Sequence, residues 1–210
     1  MRMAELSAES GVPVATIKYY LREGLLPPGE RTSPNQARYD REHVRRLKLV
    51  RALLDVGGLS IARVREVLDG IDEHDDIHKV LGTTQRALQL SRIAVDEPTR
   101  EWAMALLAKV GALRGWDLRP DNPVVDSAVG TLGAFAALGR TELVERLAGY
   151  AELADQVAAL DLAGIRGLPE RETVVEAAVV GTVLGDALFA ALRRLAQEHT
   201  SATSWPASPS

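Results

Sequence analysis

Residues 3–28 read MAELSAESGVPVATIKYYLREGLLPP, and this stretch decides the fold. Met3 and Leu6, with Ala4 or Ala8, recur at helical spacing as far as Ser10, and Gly11-Val12 then supplies a tight turn. Pro13 stands in a first helical turn, where a missing N–H costs nothing. Val14, Ile17 and Leu21 mark the inner face of a second helix, which Gly24 closes. Two helices of about eight and eleven residues across so short a turn match a helix-turn-helix, the geometry that lays its second helix in a DNA major groove. Thr16, Lys18, Tyr19 and Tyr20 are then left for a partner.

Beyond Leu25-Leu26, the Pro27-Pro28-Gly29 break leads into residues 31–39, RTSPNQARY, which are turn formers between bases. This reads as a small β wing, with Arg31, Asn35, Gln36 and Arg38 as its candidate DNA contacts. Asp40 caps a third helix, in which Val44, Leu47, Val50 and Leu54 form an apolar face beside a basic one. A fourth helix, over about 60–68, follows Gly57-Gly58, with Ser60 as N-cap and Ile61, Val64, Val67 and Leu68 inward. Tyr20 and Tyr39 each admit a second reading as core residues; for Tyr39, just before a capped helix, the structural role outweighs contact.

With residues 39–68, YDREHVRRLKLVRALLDVGGLSIARVREVL, the opening stretch resembles the amino-terminal domain of the MerR family of bacterial transcription regulators. The resemblance covers about a third of the chain. In that family a Thr-x-Arg-Tyr-Tyr run meets DNA, and it falls here on Thr16, Lys18, Tyr19 and Tyr20; lysine keeps the charge but lacks arginine's planar fork. The family's wing arginine falls on Ala37, with Arg38 as the neighbouring substitute, and Ala15 stands where many relatives carry a base. The resemblance implies a homodimer on double-stranded operator DNA, RNA polymerase as a partner at the promoter, and a carboxyl region that senses a small-molecule effector.

Charge divides the chain at the same place. Residues 1–70 hold 12 Lys and Arg against 9 Asp and Glu, whereas residues 71–210 hold 13 against 20. The bases concentrate at Arg31, Arg38, Arg41, Arg45, Arg46, Lys48 and Arg51. A basic strip on an acidic protein suits nucleic acid held at one end, because Lys and Arg gain affinity by releasing phosphate counterions.

After Gly70 the pattern is helical throughout. Asp76 opens a connecting helix from Ile77 to Val95, stopped by Glu97-Pro98; its stripe of Ile77, Val80, Leu81, Leu88 and Ile93 is interrupted by Thr84 and Ser91. Further helices run from Thr99 to Arg114, from Asn122-Pro123 to about Leu138, from Thr141 to about Leu160, and from Thr173 to about His199. The last is apolar on nearly all sides from Ala177 to Leu192, which places it at a bundle centre or a subunit seam, and Gly181 and Gly185 would let another helix come close. The expected organisation is mainly α: a winged helix-turn-helix head over 1–70, a connecting and dimerisation helix over 71–97, an all-helical effector or assembly domain over 98–199, and a frayed tail over 200–210.

No catalytic or metal site and no cofactor is indicated. The sequence contains no cysteine, which removes disulfides, thiolate metal ligands and thiol redox chemistry. It also lacks a phosphate-binding glycine loop and a nucleophile elbow. Residues 76–82, DIHKVLG, approximate a cobalamin signature with the glycine one position late and no strand–helix alternation after it. Asp186 reads either as an anchor for a cationic ligand or, more simply, as a partner of Arg193, Arg194 or a neighbouring helix. Trp102 and Trp116 read as pocket lining or, more simply, as core or interface residues, so the ligand-binding residues stay unknown. No charged leader opens the chain, and the run Ala177–Leu192, broken by Thr182 and Asp186, falls short of the roughly 20 residues a bilayer needs, so a cytoplasmic protein away from membranes is expected. The reading is a non-enzymatic DNA-binding transcription regulator; the alternative is a DNA-bending adaptor whose helical domain docks a protein partner.

Overall fold

The computed structural model describes residues 1–33, 36–73, 77–87, 93–119, 121–168 and 171–204. Asn35, the Asp76 cap, Leu88, Ser91 and the tail beyond Ser204 lie outside the described residues. The fold is mainly α, with one two-stranded sheet among the described residues.

The helix-turn-helix consists of α1 (Met3–Ser10) and α2 (Val14–Arg22). Gly11 joins them at φ 69°, a left-handed conformation open to glycine. Two hydroxyls lock the turn: Ser7 Oγ donates to the Val12 carbonyl at 2.7 Å, and Ser10 Oγ to the Leu6 carbonyl at 2.6 Å. That back-bond lets Ser10 be buried beside Leu6, while Ala4 and Ala8, both inward candidates by spacing, face solvent.

Strands β1 (Glu30–Ser33) and β2 (Gln36–Arg38) form the wing as an antiparallel pair, with Glu30 opposite Arg38 and Arg31 opposite Ala37. Gly29 permits the close approach at its base, since a Cβ there would lie 2.6 Å from the Arg38 carbonyl and 2.8 Å from the Tyr39 ring. Helix α3 (Arg41–Arg51) follows the Asp40 cap, whose carboxylate accepts the His43 N–H at 3.1 Å. It passes into a π-helical turn (Ala52–Val56), and α4 (Ile61–Glu73) follows.

The core of this head is formed by Leu6, Val12, Ile17, Leu25, Leu26, Leu47, Val50, Leu53, Val64, Val67 and Leu68, each at most 1% exposed. Every such aliphatic side chain contributes about 1.5–3 kcal/mol relative to exposure. Two arginines clamp the chain after α2: Arg65 donates to the Glu23 carbonyl (2.8 Å) and carboxylate (2.9 Å), and Arg46 donates to the Leu25 carbonyl (3.2 Å).

Helix α5 (Ile77–Ala87) is shorter than the span to Val95 that the sequence suggests, and residues 93–96 are not helical. Glu97-Pro98, read as a stop, in fact opens α6 (Glu97–Arg114): Asp96 accepts the Thr99 N–H at 2.9 Å, and the proline occupies the first turn. Helices α7 (Pro123–Ala137), α8 (Thr141–Val144) and α9 (Leu147–Ile165) follow, with a turn at Glu145-Arg146 where the sequence suggested one continuous helix. Helix α10 (Arg171–Ser204) runs past the expected end near His199, and in its last turns Ser201 Oγ and Thr203 Oγ1 donate to the Glu198 and Thr200 carbonyls at 2.9 Å.

The chain divides into two compact units, Met1–Ala87 with Leu168–Ser210, and Leu88–Gly167. The sequence-based division grouped α10 with the helices over 98–199; in the structure it packs on α5, α4 and the π-helical turn of the head. Val175, Ala178, Val179 and Val183 form its buried face, and at Gly57 a Cβ would overlap Val183 and the Leu53 carbonyl, so glycine is what lets α10 seat there. In the second unit, Ala103 and Leu107 of α6 meet Val125, Val129 and Leu132 of α7. Gly130 and Gly133 bring Ile93 and Val95 against α7, with Cβ positions that would lie 2.7 Å from the Ile93 carbonyl and 2.6 Å from Val95 Cγ1.

Candidate nucleic-acid interface

Helix α2 presents its phase through Ile17, which is fully buried. Counting round the helix from there, Lys18 and Tyr19 fall outward: Lys18 is exposed, Tyr19 is 37% exposed, and Thr16 is half-buried. Tyr20, three residues after Ile17, turns inward and is only 7% exposed, which corrects its reading as a DNA contact. Burial, with the Asp55 charge adding, pushes its phenol above the usual range. The Arg22 guanidinium lies 5.8 Å from the centre of the Tyr19 ring. That cation–π contact steadies the exposed phenol and adds a charge beside Lys18. Sequence reasoning passed over Arg22, although its position three residues after Tyr19 was the signal.

On the wing, Arg31, Gln36 and Arg38 are exposed, and Asn35 lies outside the described residues. The strand register sorts them. Cross-strand partners share a face, so Arg31 stands beside Ala37, the position left without its arginine, whereas Arg38 stands beside acidic Glu30 on the other face. The register thus sets Arg31, and not Arg38, directly across from Ala37. Thr32 Oγ1 donates to the Gln36 carbonyl at 3.3 Å and braces the hairpin. Tyr39 is buried, edge-on to the His43 ring at 5.1 Å, and exchanges backbone hydrogen bonds with Met1 at 2.6 and 2.9 Å. It anchors the wing rather than touching a ligand, and burial raises its phenol too.

The basic strip is not one surface. Arg46 makes a bidentate pair with Asp72 at 2.7 Å, Arg45 pairs with Glu176 of α10, and Arg51 pairs with Asp55 at 3.1 Å. Three of the seven bases thus bind the protein's own carboxylates, and Arg31, Arg38, Arg41 and Lys48 are exposed. A cavity of about 560 Å³ lies among these groups, lined by His43, Arg45, Arg46, Asp69, Asp72 and Glu176, so both members of the Arg46–Asp72 and Arg45–Glu176 pairs are in its wall.

Asp186 is exposed rather than buried in an apolar helix. Trp102 and Trp116 are each 37% exposed; the Trp116 indole N–H donates to Asp155 at 2.8 Å, beside the Arg114 pairs with Glu152 and Asp155.

Residues 1–71 match the family model described as MerR HTH family regulatory protein. Nodulation protein NolA of Bradyrhizobium sp. (strain NC92) is 30% identical over 128 residues, which cover 57% of this chain and 54% of NolA, so the chain spans about half of that relative's length. Heavy metal-dependent transcription regulator 2 of Rhizobium meliloti (strain 1021) is 31% identical over 60% of this chain and 84% of its own length. HTH-type transcriptional regulator HmrR of Sinorhizobium medicae is 28% identical over 73% of this chain and 99% of its own length. Among solved structures, the SCO5550 protein of Streptomyces coelicolor A3(2) superposes with a TM-score of 0.76 at 38% identity, covering 100% of both chains.

Proposed function

This chain belongs to the MerR helix-turn-helix family, and on that premise we propose that it is a transcription regulator that binds operator DNA as a homodimer. The observation that carries the reading is the outward placement of Lys18 and Tyr19, braced by Arg22, on the second helix of the helix-turn-helix. Lys18, Arg22 and Arg31 set the register on phosphates, and the few remaining outer side chains of α2 meet base edges. Two heads are needed because paired half-sites call for paired readers. At the promoter the partner is RNA polymerase, and the all-helical remainder of the chain responds to a small-molecule effector. The metal dependence in one relative's name stays with that protein, since no cysteine thiolate exists here to bind a heavy metal.

Footprinting on the protein's own upstream region tests this directly. A protected site with two-fold symmetry is expected, and Lys18→Ala with Tyr19→Phe should weaken binding by about 1–3 kcal/mol. Sequence-tolerant binding, or unchanged affinity of that variant at moderate salt, overturns the assignment of α2 as the reading helix.

A further inference from the structure

The outer face of α2 is chemically uneven along its length. Ala15 stands three and four residues before Lys18 and Tyr19, and Arg22 stands four and three after them, so the four share one side of the helix, and all four are exposed. Positive charge lies toward the carboxyl end, on Lys18 and on Arg22 beside the Tyr19 ring. The amino end differs in kind. From Gly11 to Ala15 the exposed positions are Gly11, Pro13 and Ala15, while Val12 is buried and Val14 half-buried. That turn offers a groove a proline ring and a methyl group, with no side-chain donor or acceptor.

In a helix-turn-helix, the first turn of the second helix is the part that reaches base edges. We propose that Ala15 is a specificity-determining residue whose methyl group reads the C5 methyl of a thymine in each operator half-site. The inference rests on the reading of α2 as the DNA-binding helix and adds what that helix selects. A guanine, adenine or cytosine edge set against Ala15 would lose water from its O6, N6 or N4 group and gain no hydrogen bond, whereas thymine presents an apolar group there. Selection thus comes both from the methyl contact and from the polar edges that would be left unpaired. At about 1.5 Å of rise per residue, Arg22 stands roughly 10 Å from Ala15 along the axis, so the methyl site is separate from the charge at the far end. Thr16 carries a methyl group too, but it is half-buried on the flank of the stripe.

The test uses the full chain on its footprinted site, with each thymine exchanged in turn for deoxyuridine, which removes only the C5 methyl. One thymine per half-site should matter, at a cost of about fourfold in affinity, the loss expected for one methyl group. At that base pair cytosine should also bind worse, and 5-methylcytosine should recover part of the loss. Ala15→Gly should bind the thymine site more weakly and make the deoxyuridine exchange neutral, while Thr16→Ser should leave the exchange as costly as in the wild type. A less stable α2 lowers affinity for both DNAs alike, so this coupling separates the methyl contact from a loss of helix stability. Ala15→Arg should move the preference at that pair from T·A toward G·C by about tenfold, through the two acceptors of guanine. Deoxyuridine exchanges that are all silent, or a sensitive thymine whose cost is unchanged in Ala15→Gly, overturn the proposal and leave the regulator standing. An effect lost in Thr16→Ser assigns the methyl contact to Thr16 and overturns the proposal as well. A chain with no preferred site on DNA removes the proposal and the regulator together.

Discussion

Arg31 and Arg38 stand on opposite faces of the same two-stranded wing, and the difference between them is one of register rather than composition. Arg31 has Ala37 as its cross-strand partner, whereas Arg38 is set beside the carboxylate-bearing Glu30. Arg31→Ala should therefore cost about 1 kcal/mol of operator affinity and lower the salt slope by roughly one, with a smaller effect from Arg38→Ala. Filter binding across a salt series measures both, and an equal or reversed order overturns this ranking. The outward placement of Lys18 and Tyr19 was legible from the sequence because helical phase is local. Tyr20 was legible too in principle, since it follows buried Ile17 by three, but a tyrosine carries both a contact and a core reading until packing decides. The register that separates Arg31 from Arg38 was not legible, because it depends on where the two strands meet. The Arg22–Tyr19 contact needed a rotamer that no spacing specifies.

Elements whose ends are set by their own caps matched the sequence reading, and those set by packing did not. Gly11, Asp40, Gly115 and Asn122-Pro123 are local chemistry, and α1, α3, α6 and α7 begin or end beside them. Residues 93–96 are not helical, and Ile93 and Val95 lie against α7 where Gly130 and Gly133, nearly forty positions away, leave them room. The cap at Asp40 gives a test with a sign. Its hydrogen bonds to the His43 ring and N–H hold the carboxyl below its ordinary range, so the folded state binds that proton less readily than the unfolded one. The stabilisation is therefore fully present above the unfolded value, near pH 4, and is lost as pH falls through the folded one. Asp40→Ala should cost about 1 kcal/mol at pH 7, with the gap between variant and wild type closing toward pH 2 in urea titrations. A gap that persists undiminished in acid assigns the effect to something other than this carboxylate.

At the scale of the whole molecule, chain order misleads. Helix α10 follows α6 to α9 in sequence, yet it is bound to the head by Arg45 and Glu176, 131 positions apart, and by Val183 over Gly57. No periodicity within α10 announces that partner, because a buried stripe looks the same whichever element covers it. Each of the two compact units has its own sealed interior, with Val179 fully buried in one and Val129 fully buried in the other. A carboxylate placed at either site would be desolvated without a partner, at a cost of roughly 4 kcal/mol to the unit that contains it. Val179→Asp should therefore accelerate hydrogen exchange across α1 to α5 while leaving α6 to α9 protected, and Val129→Asp should do the reverse. Protection lost in α1 to α4 after a change at position 179 reports that α10 holds the DNA-reading head. If both substitutions loosened the two units alike, the chain would be a single cooperative body, and α10 would have no separate hold on the head.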